Sequence, residues 1–199
     1  PNSEDTASPA VREKYGTLCS LLGIFLNVLL FGGKLFAGLL SGSIAITADA
    51  FNNLSDAGSS IITLAGFRLA GKKPDPDHPF GHGRMEYIAG FVVSLAILLM
   101  GVELAKSSID KLLHPEAPEF SLLVAGILAA SIAVKLYMAS YNRYAADKVS
   151  SPAMRATSLD SLSDSVATTV VLLSMLVYRF FHINADGACG LLVACFILL

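Results

Sequence analysis

Long apolar runs separated by short polar stretches dominate this chain of 199 residues. A membrane-spanning helix needs about 20 mainly apolar residues, and six segments reach or approach that length. They lie at about 17–40, 44–69, 87–113, 120–145, 153–180 and from about 185 onward. The pattern predicts an all-α protein with six transmembrane helices, which crosses the cell membrane as a multi-pass protein.

The composition agrees with this class. The chain is 54% hydrophobic and only 15% charged, whereas a soluble domain carries about 25% charged residues. The formal net charge is −2 and no basic stripe is present, so we expect the lipid bilayer, and not a nucleic acid, as the surrounding partner.

Lysine and arginine residues are unevenly distributed between the two sides of the six predicted helices. Positive residues favour the cytoplasmic side, and that side would hold most of them if the N-terminus is cytoplasmic. They are Arg12, Lys14, Arg68, Lys72, Lys73, Arg84, Arg143, Lys148 and Arg155, against Lys106, Lys111 and Arg179. We therefore expect both termini in the cytoplasm, with residues 1–16 as a cytoplasmic segment and 17–199 as the transmembrane domain. The sixth segment is still apolar at Leu199, which indicates a fragment of a longer protein.

Two of the predicted helices carry acids at membrane depth. The second helix contains Asn52 and Asp56, and the fifth contains Asp160 and Asp164. Residues four apart lie on one helix face, so the two pairs would offer four oxygen ligands to a divalent cation. An intramembrane carboxylate is costly and usually functional. The alternative is structural, with polar side chains bonded between helices.

Asp49 precedes Asp56 by seven residues on the same predicted helix. It could support the metal site or relay protons. It could equally pair with one of two lysines that lie within apolar runs, Lys34 or Lys135. The sequence leaves these alternatives open.

The loop after the second helix holds Asp75, His78 and His82. Two histidines four residues apart, with a nearby carboxylate, form a plausible metal site. The other interpretation is a solvated loop whose histidines bind nothing.

These motifs together resemble the cation diffusion facilitator family. The resemblance rests on the stretch 47–56, TADAFNNLSD, on the loop 77–84, DHPFGHGR, and on the paired acids of the fifth helix. It implies a homodimeric metal–proton antiporter that exports divalent cations and is not an enzyme. It also implies that Asn52, Asp56, Asp160 and Asp164 form the transport site, and that Asp75, His78 and His82 match a second site. The family's cytoplasmic C-terminal domain is expected to be absent from this chain.

The predicted transport site contains no histidine, although many zinc-transporting members of the family have one at the first position of a pair. One amide and three carboxylates supply only oxygen, which suits manganese, magnesium or calcium. We therefore expect Mn²⁺ as the transported substrate, with no cofactor. Export of Zn²⁺, Cd²⁺ or Fe²⁺, a divalent-cation channel and a non-transporting scaffold are the alternatives.

Overall fold

The computed structural model describes residues 9–41, 44–114, 121–181 and 186–199. Within these ranges the chain forms helices and no strand, which confirms the predicted all-α class. The six helices are α1 (Pro9–Ser41), α2 (Ile44–Ala70), α3 (Met85–Leu113), α4 (Leu122–Val149), α5 (Pro152–Phe181) and α6 (Asp186–Leu198).

The largest difference from the predicted boundaries is at the start of α1. The helix begins at Pro9, whereas the apolar run begins near Thr17. Hydropathy marks only the apolar part of a helix, and the intervening turns contain Arg12, Glu13 and Lys14, which are charged but compatible with a helix. The predicted starts of the fourth and sixth helices, near residues 120 and 185, lie outside the described ranges.

Four helices of the described chain, α1, α3, α4 and α5, are long and apolar enough to cross a membrane. Their large apolar side chains also face outward, as shown by Phe91 and Leu99 on α3, which are 68% and 64% exposed. Such a surface is suited to lipid. Helix α2 falls outside this group although it has 27 residues, because polar residues interrupt its apolar run.

The chain divides into two compact units. The first unit comprises Pro1–Ser94 and Met138–Leu159. Its core is built around Phe67 of α2 and Met154 of α5, each only 1% exposed, together with small residues of α4. Gly16 of α1 lies against the Phe67 ring so closely that a Cβ atom would clash with it, and this allows α1 and α2 to approach.

The corner between α4 and α5 is fixed by local hydrogen bonds within the first unit. Ser150 follows the end of α4 with a φ of 51°, and the Ser151 N–H donates to the Ala146 carbonyl at 3.0 Å, as in a Schellman motif. Ser151 Oγ then accepts from the Met154 N–H at 3.2 Å, which caps α5. This corner sets the start of the helix that carries Asp160 and Asp164.

The second unit comprises Leu95–Tyr137 and Asp160–Leu199. Here α6 packs on α3 through glycines: Gly190 lies against the Ser108 side chain, and Gly101 lies against Ile197 and Leu198. Close helix approach through small residues is typical of membrane proteins. It holds the short α6 in place although its 13 residues make few turns.

Candidate metal sites

The two acids of α5 lie together within the second unit. Asp160 and Asp164 are 5% and 8% exposed, and oxygen atoms of the two carboxylates come within 4.8 Å of one another. Their spacing of one helical turn places both on the same face, as the sequence predicted. Two buried carboxylates at this distance repel unless a cation or a proton intervenes.

Lys135 of α4 supplies a positive charge to this pair. Its Nζ donates to Asp164 Oδ2 at 2.7 Å, and the lysine is only 3% exposed. The sequence had offered Lys135 only as a possible partner of Asp49. An ion pair at this depth has little water to screen it, so Lys135 lowers the electrostatic cost of burying Asp164.

On α2, the side chains of the predicted ligands differ in exposure. Asp56 is 7% exposed and therefore buried, while Asn52, one turn earlier, is exposed. The buried amide at this level is that of Asn53, whose Nδ2 donates to the Asp49 carbonyl at 2.8 Å. Its Oδ1 has no hydrogen-bond partner in the described ranges. Helical spacing had selected Asn52, four residues before Asp56, and had not predicted a role for Asn53.

Asp49 pairs with Lys34 of α1. The distance from Lys34 Nζ to Asp49 Oδ2 is 2.8 Å, and the two side chains are 3% and 30% exposed. The structure thus selects one of the two lysine partners that the sequence allowed. The pair links α1 to α2 near the ends of both helices.

Two buried polar residues of α1 were not predicted from the sequence. Asn27 is 2% exposed and Ser20 is 4% exposed. Within the part of the chain that the structure describes, neither Asn27 Oδ1 nor Ser20 Oγ has a hydrogen-bond partner. A signal was available, because a polar side chain that is buried within an apolar run needs a hydrogen-bond partner. The acids were predicted as site residues because burying a charge costs more free energy than burying a neutral polar group.

The loop residues Asp75, His78 and His82 come together as predicted, within the first unit. One ligand atom from each lies within 4.8 Å of the others, and the two imidazole rings are 4.3 Å apart. Asp75 Oδ1 is 3.1 Å from His78 Nδ1, and Asp75 Oδ2 is 3.4 Å from His82 Nε2. The three side chains therefore converge as metal ligands would.

The Asp75 carboxylate also caps the turn that holds this loop cluster. Desolvation raises the pKa of Asp75, but the His78 backbone N–H bond, the His78 side chain and the charges of both histidines outweigh it, so the pKa lies below its ordinary value. The His78 N–H donates to Asp75 Oδ1 at 2.7 Å. Asp75 is thus held ionised, which is the form that binds metal.

Comparison with known proteins agrees with these observations. The cation efflux transmembrane domain family matches residues 20–199. A transporter of Methanocaldococcus jannaschii is 32% identical over 87% of this chain and 62% of its own length. The manganese efflux system proteins MneS and MneP of Bacillus subtilis are 30% and 31% identical, over 84% and 83% of this chain and 58% and 55% of their own lengths.

The chain thus spans a little over half the length of these curated relatives. The family match covers nearly all of it and confirms the resemblance drawn from the motifs. It also agrees with the apolar helices described above. The chain therefore belongs to the cation efflux family of transmembrane domains, whose members are membrane transporters and not enzymes.

Proposed function

We propose that this chain is the membrane domain of a secondary transporter that exports divalent cations, foremost Mn²⁺, from the cytoplasm in exchange for protons. The observation that carries the proposal is the pair of buried carboxylates on one face of α5, Asp160 and Asp164. Buried acids at membrane depth are costly, and a bound divalent cation offsets their repulsion. Membership of the cation efflux family supports the same reading.

We further propose that α2 completes the site with Asp56 and Asn52. Within the first unit, Thr63 of α2 and Thr157 of α5 share a hydrogen bond of 3.3 Å. In a six-span topology α2 and α5 run in opposite directions. Asp56 lies seven residues before Thr63, and Asp164 lies seven residues after Thr157. Because these steps from the contact are equal, we propose that the two acids serve as ligands of one cation.

The charges of the proposed site favour a divalent ion. Three carboxylates and the Lys135 ammonium have a net charge that one divalent cation neutralises. Because all the proposed ligands are oxygen atoms, the site suits manganese better than zinc, and two of the relatives carry manganese efflux in their names. Zn²⁺, Cd²⁺ or Fe²⁺ as the exported ion is the alternative.

Proton exchange follows from the ligand chemistry. Carboxylates bind metal when ionised and release it when protonated, so a lower pH outside would favour release there. Asp49, which is paired with Lys34, lies seven residues before Asp56 on α2. From there it would support the exchange of metal for protons. In the full-length protein we expect both termini on the cytoplasmic side and a homodimer.

The test is Mn²⁺ uptake into proteoliposomes, with internal pH recorded in parallel. We expect Asp56→Asn, Asp160→Asn and Asp164→Asn each to lower the rate at least about tenfold, or about 1.4 kcal/mol. Asp110→Asn is the matched control, because the Asp110 side chain is 77% exposed and lies near the end of α3. Its rate should equal that of the wild type.

The competing functions give different results in the same assay. A channel would pass Mn²⁺ without counter-movement of protons and without saturation. A scaffold would show no uptake that depends on these aspartates. Wild-type preference for Zn²⁺ by about tenfold or more would overturn the manganese assignment while leaving the transporter intact.

We also propose that the loop cluster of Asp75, His78 and His82 binds a divalent cation. Imidazole and carboxylate ligands together suit zinc and its neighbours. Titration with Zn²⁺ should show one site that is lost in His82→Ala and kept in His114→Ala, where the histidine is exposed at the end of α3. Identical titrations of the two variants would contradict this assignment.

A further inference from the structure

Asn27 is a polar side chain buried in the middle of α1. It is 2% exposed, and its Oδ1 has no hydrogen-bond partner among the described residues. Leaving such a group unsatisfied costs free energy, so each case in a folded protein calls for an explanation. A ligand that binds at this point would provide one.

The packing of α1 against α2 within the first unit shows what Asn27 faces. Gly16 lies against Phe67 and Gly23 lies against Ser60. Further along, Lys34 pairs with Asp49. In all three contacts the two residue numbers have the same sum, because a step forward on α1 matches an equal step backward on α2. The two helices are therefore antiparallel and in register over their length.

Asn27 and Asp56 occupy equivalent places in this register. Asn27 follows Gly23 by four residues and precedes Lys34 by seven, while Asp56 precedes Ser60 by four and follows Asp49 by seven. Steps of four and seven return to the same helix face. The register thus puts Asn27 opposite Asp56, between two contacts that the structure contains.

We propose that Asn27 Oδ1 is a further ligand of the transported cation, opposite Asp56. The inference rests on the proposed transport site and adds a residue from a third helix to it. An amide oxygen is a neutral ligand that suits manganese and similar divalent cations. It adds a ligand without adding charge, and manganese favours six oxygen ligands in octahedral geometry.

The distinguishing variant is Asn27→Leu, which keeps the size of the side chain and removes its oxygen. We expect the Kd for Mn²⁺, measured by electron paramagnetic resonance on the purified chain, to rise at least about tenfold, or about 1.4 kcal/mol. The Tm without metal should stay equal or rise, because an unpaired buried polar group has been replaced by an apolar one. Asn27→Asp, which restores an oxygen, should recover binding.

An asparagine with only a structural role would give the opposite result, a lower Tm and an unchanged Kd in Asn27→Leu. Asn27→Ala is measured alongside, so that poor folding of one variant does not decide the outcome. Ser20→Ala is the matched control. It removes another buried, unpaired oxygen from α1, seven residues away and opposite Thr63, and its Kd for Mn²⁺ should match the wild type.

Asp56→Asn and Asp164→Asn separate this inference from the proposed function. If these two variants bind and transport Mn²⁺ normally, the transport site itself is wrong. If they lose binding while Asn27→Leu and Asn27→Ala keep it, the site is right and Asn27 is not a ligand. An effect of Ser20→Ala equal to that of Asn27→Leu would also overturn the inference.

Discussion

A lysine buried in apolar surroundings needs a partner, and Lys135 has one in Asp164. Their 2.7 Å ion pair joins α4 to α5. Removal of one member of a buried pair costs about 3–5 kcal/mol, whereas replacement of both by apolar residues is nearly neutral or stabilising. The two outcomes distinguish an ion pair from ordinary packing.

We therefore expect Lys135→Met to lower the free energy of unfolding by about 3–5 kcal/mol, because Asp164 stays buried without its counter-ion. The double variant Lys135→Met with Asp164→Leu should recover most of that loss. Thermal unfolding in detergent at neutral pH measures both. Lys148→Met, an exposed lysine on the same helix, is the control, and a loss as large there would contradict the pair's role.

A substitution at Asn52 tests the selectivity between Mn²⁺ and Zn²⁺. Asn52→His places an imidazole where the proposed site has an amide, and imidazole suits zinc. We expect the ratio of Zn²⁺ to Mn²⁺ uptake in proteoliposomes to rise by about tenfold or more (about 1.4 kcal/mol). Asn53→His tests the position, since Asn53 is buried whereas Asn52 is exposed. An equal shift in both variants would show that Asn52 is not specifically the ligand.

The sequence predicted which helix face the acids share better than it predicted their ion-pair partners. Helical spacing identified the face shared by Asp160 and Asp164, because the period of a helix is known in advance. The same spacing left the partner of Asp49 open, since Lys34 and Lys135 both lie in apolar runs. Only the packing of one helix on another decides such a choice.

At the scale of the elements, the cap of α5 has a measurable effect. Ser151 Oγ accepts the Met154 N–H at 3.2 Å, and loss of an N-cap costs about 1 kcal/mol. We expect Ser151→Ala to lower the free energy of unfolding by that amount and to leave the helix itself intact by circular dichroism. Ser107→Ala, at an exposed position of α3, should change stability little. A larger loss there would indicate that the assay does not report capping.

Hydropathy predicted all six helices but not where α1 begins. The charged residues at its start are excluded from any apolar window, yet Arg12 is fixed by tertiary contacts. It forms a 2.9 Å ion pair with Glu86 of α3 and donates to the Val149 carbonyl at the end of α4. These contacts stabilise the first turns of α1, and they join positions too distant in sequence for local patterns to predict.

For the whole molecule, the contact between α1 and α2 leads to a test of motion. A Cβ atom at Gly23 would lie 3.6 Å from the Ser60 Cβ, within the range that a disulfide requires. We expect Gly23→Cys with Ser60→Cys to cross-link in a chain whose native cysteines are replaced by alanine. Because α1 and α2 are in register along their length, Mn²⁺ uptake should persist after oxidation.

The single variant Gly23→Cys controls for the substitution itself. Loss of uptake on oxidation, with recovery on reduction, would show that α1 and α2 slide against each other during transport. Persistence would mean that the pair moves together, as packed helices do when their contacts are distributed over several turns.

Equal spacing on the two helices also limits how such sequences can change. Gly23 and Lys34 are as far apart in the chain as Asp49 and Ser60. One inserted residue between Gly23 and Lys34 would turn Lys34 by about 100° and leave two charges unpaired within the bilayer. Insertions and deletions in α1 are therefore tolerable only when α2 changes by the same length. The lengths of the two helices are expected to change together during evolution.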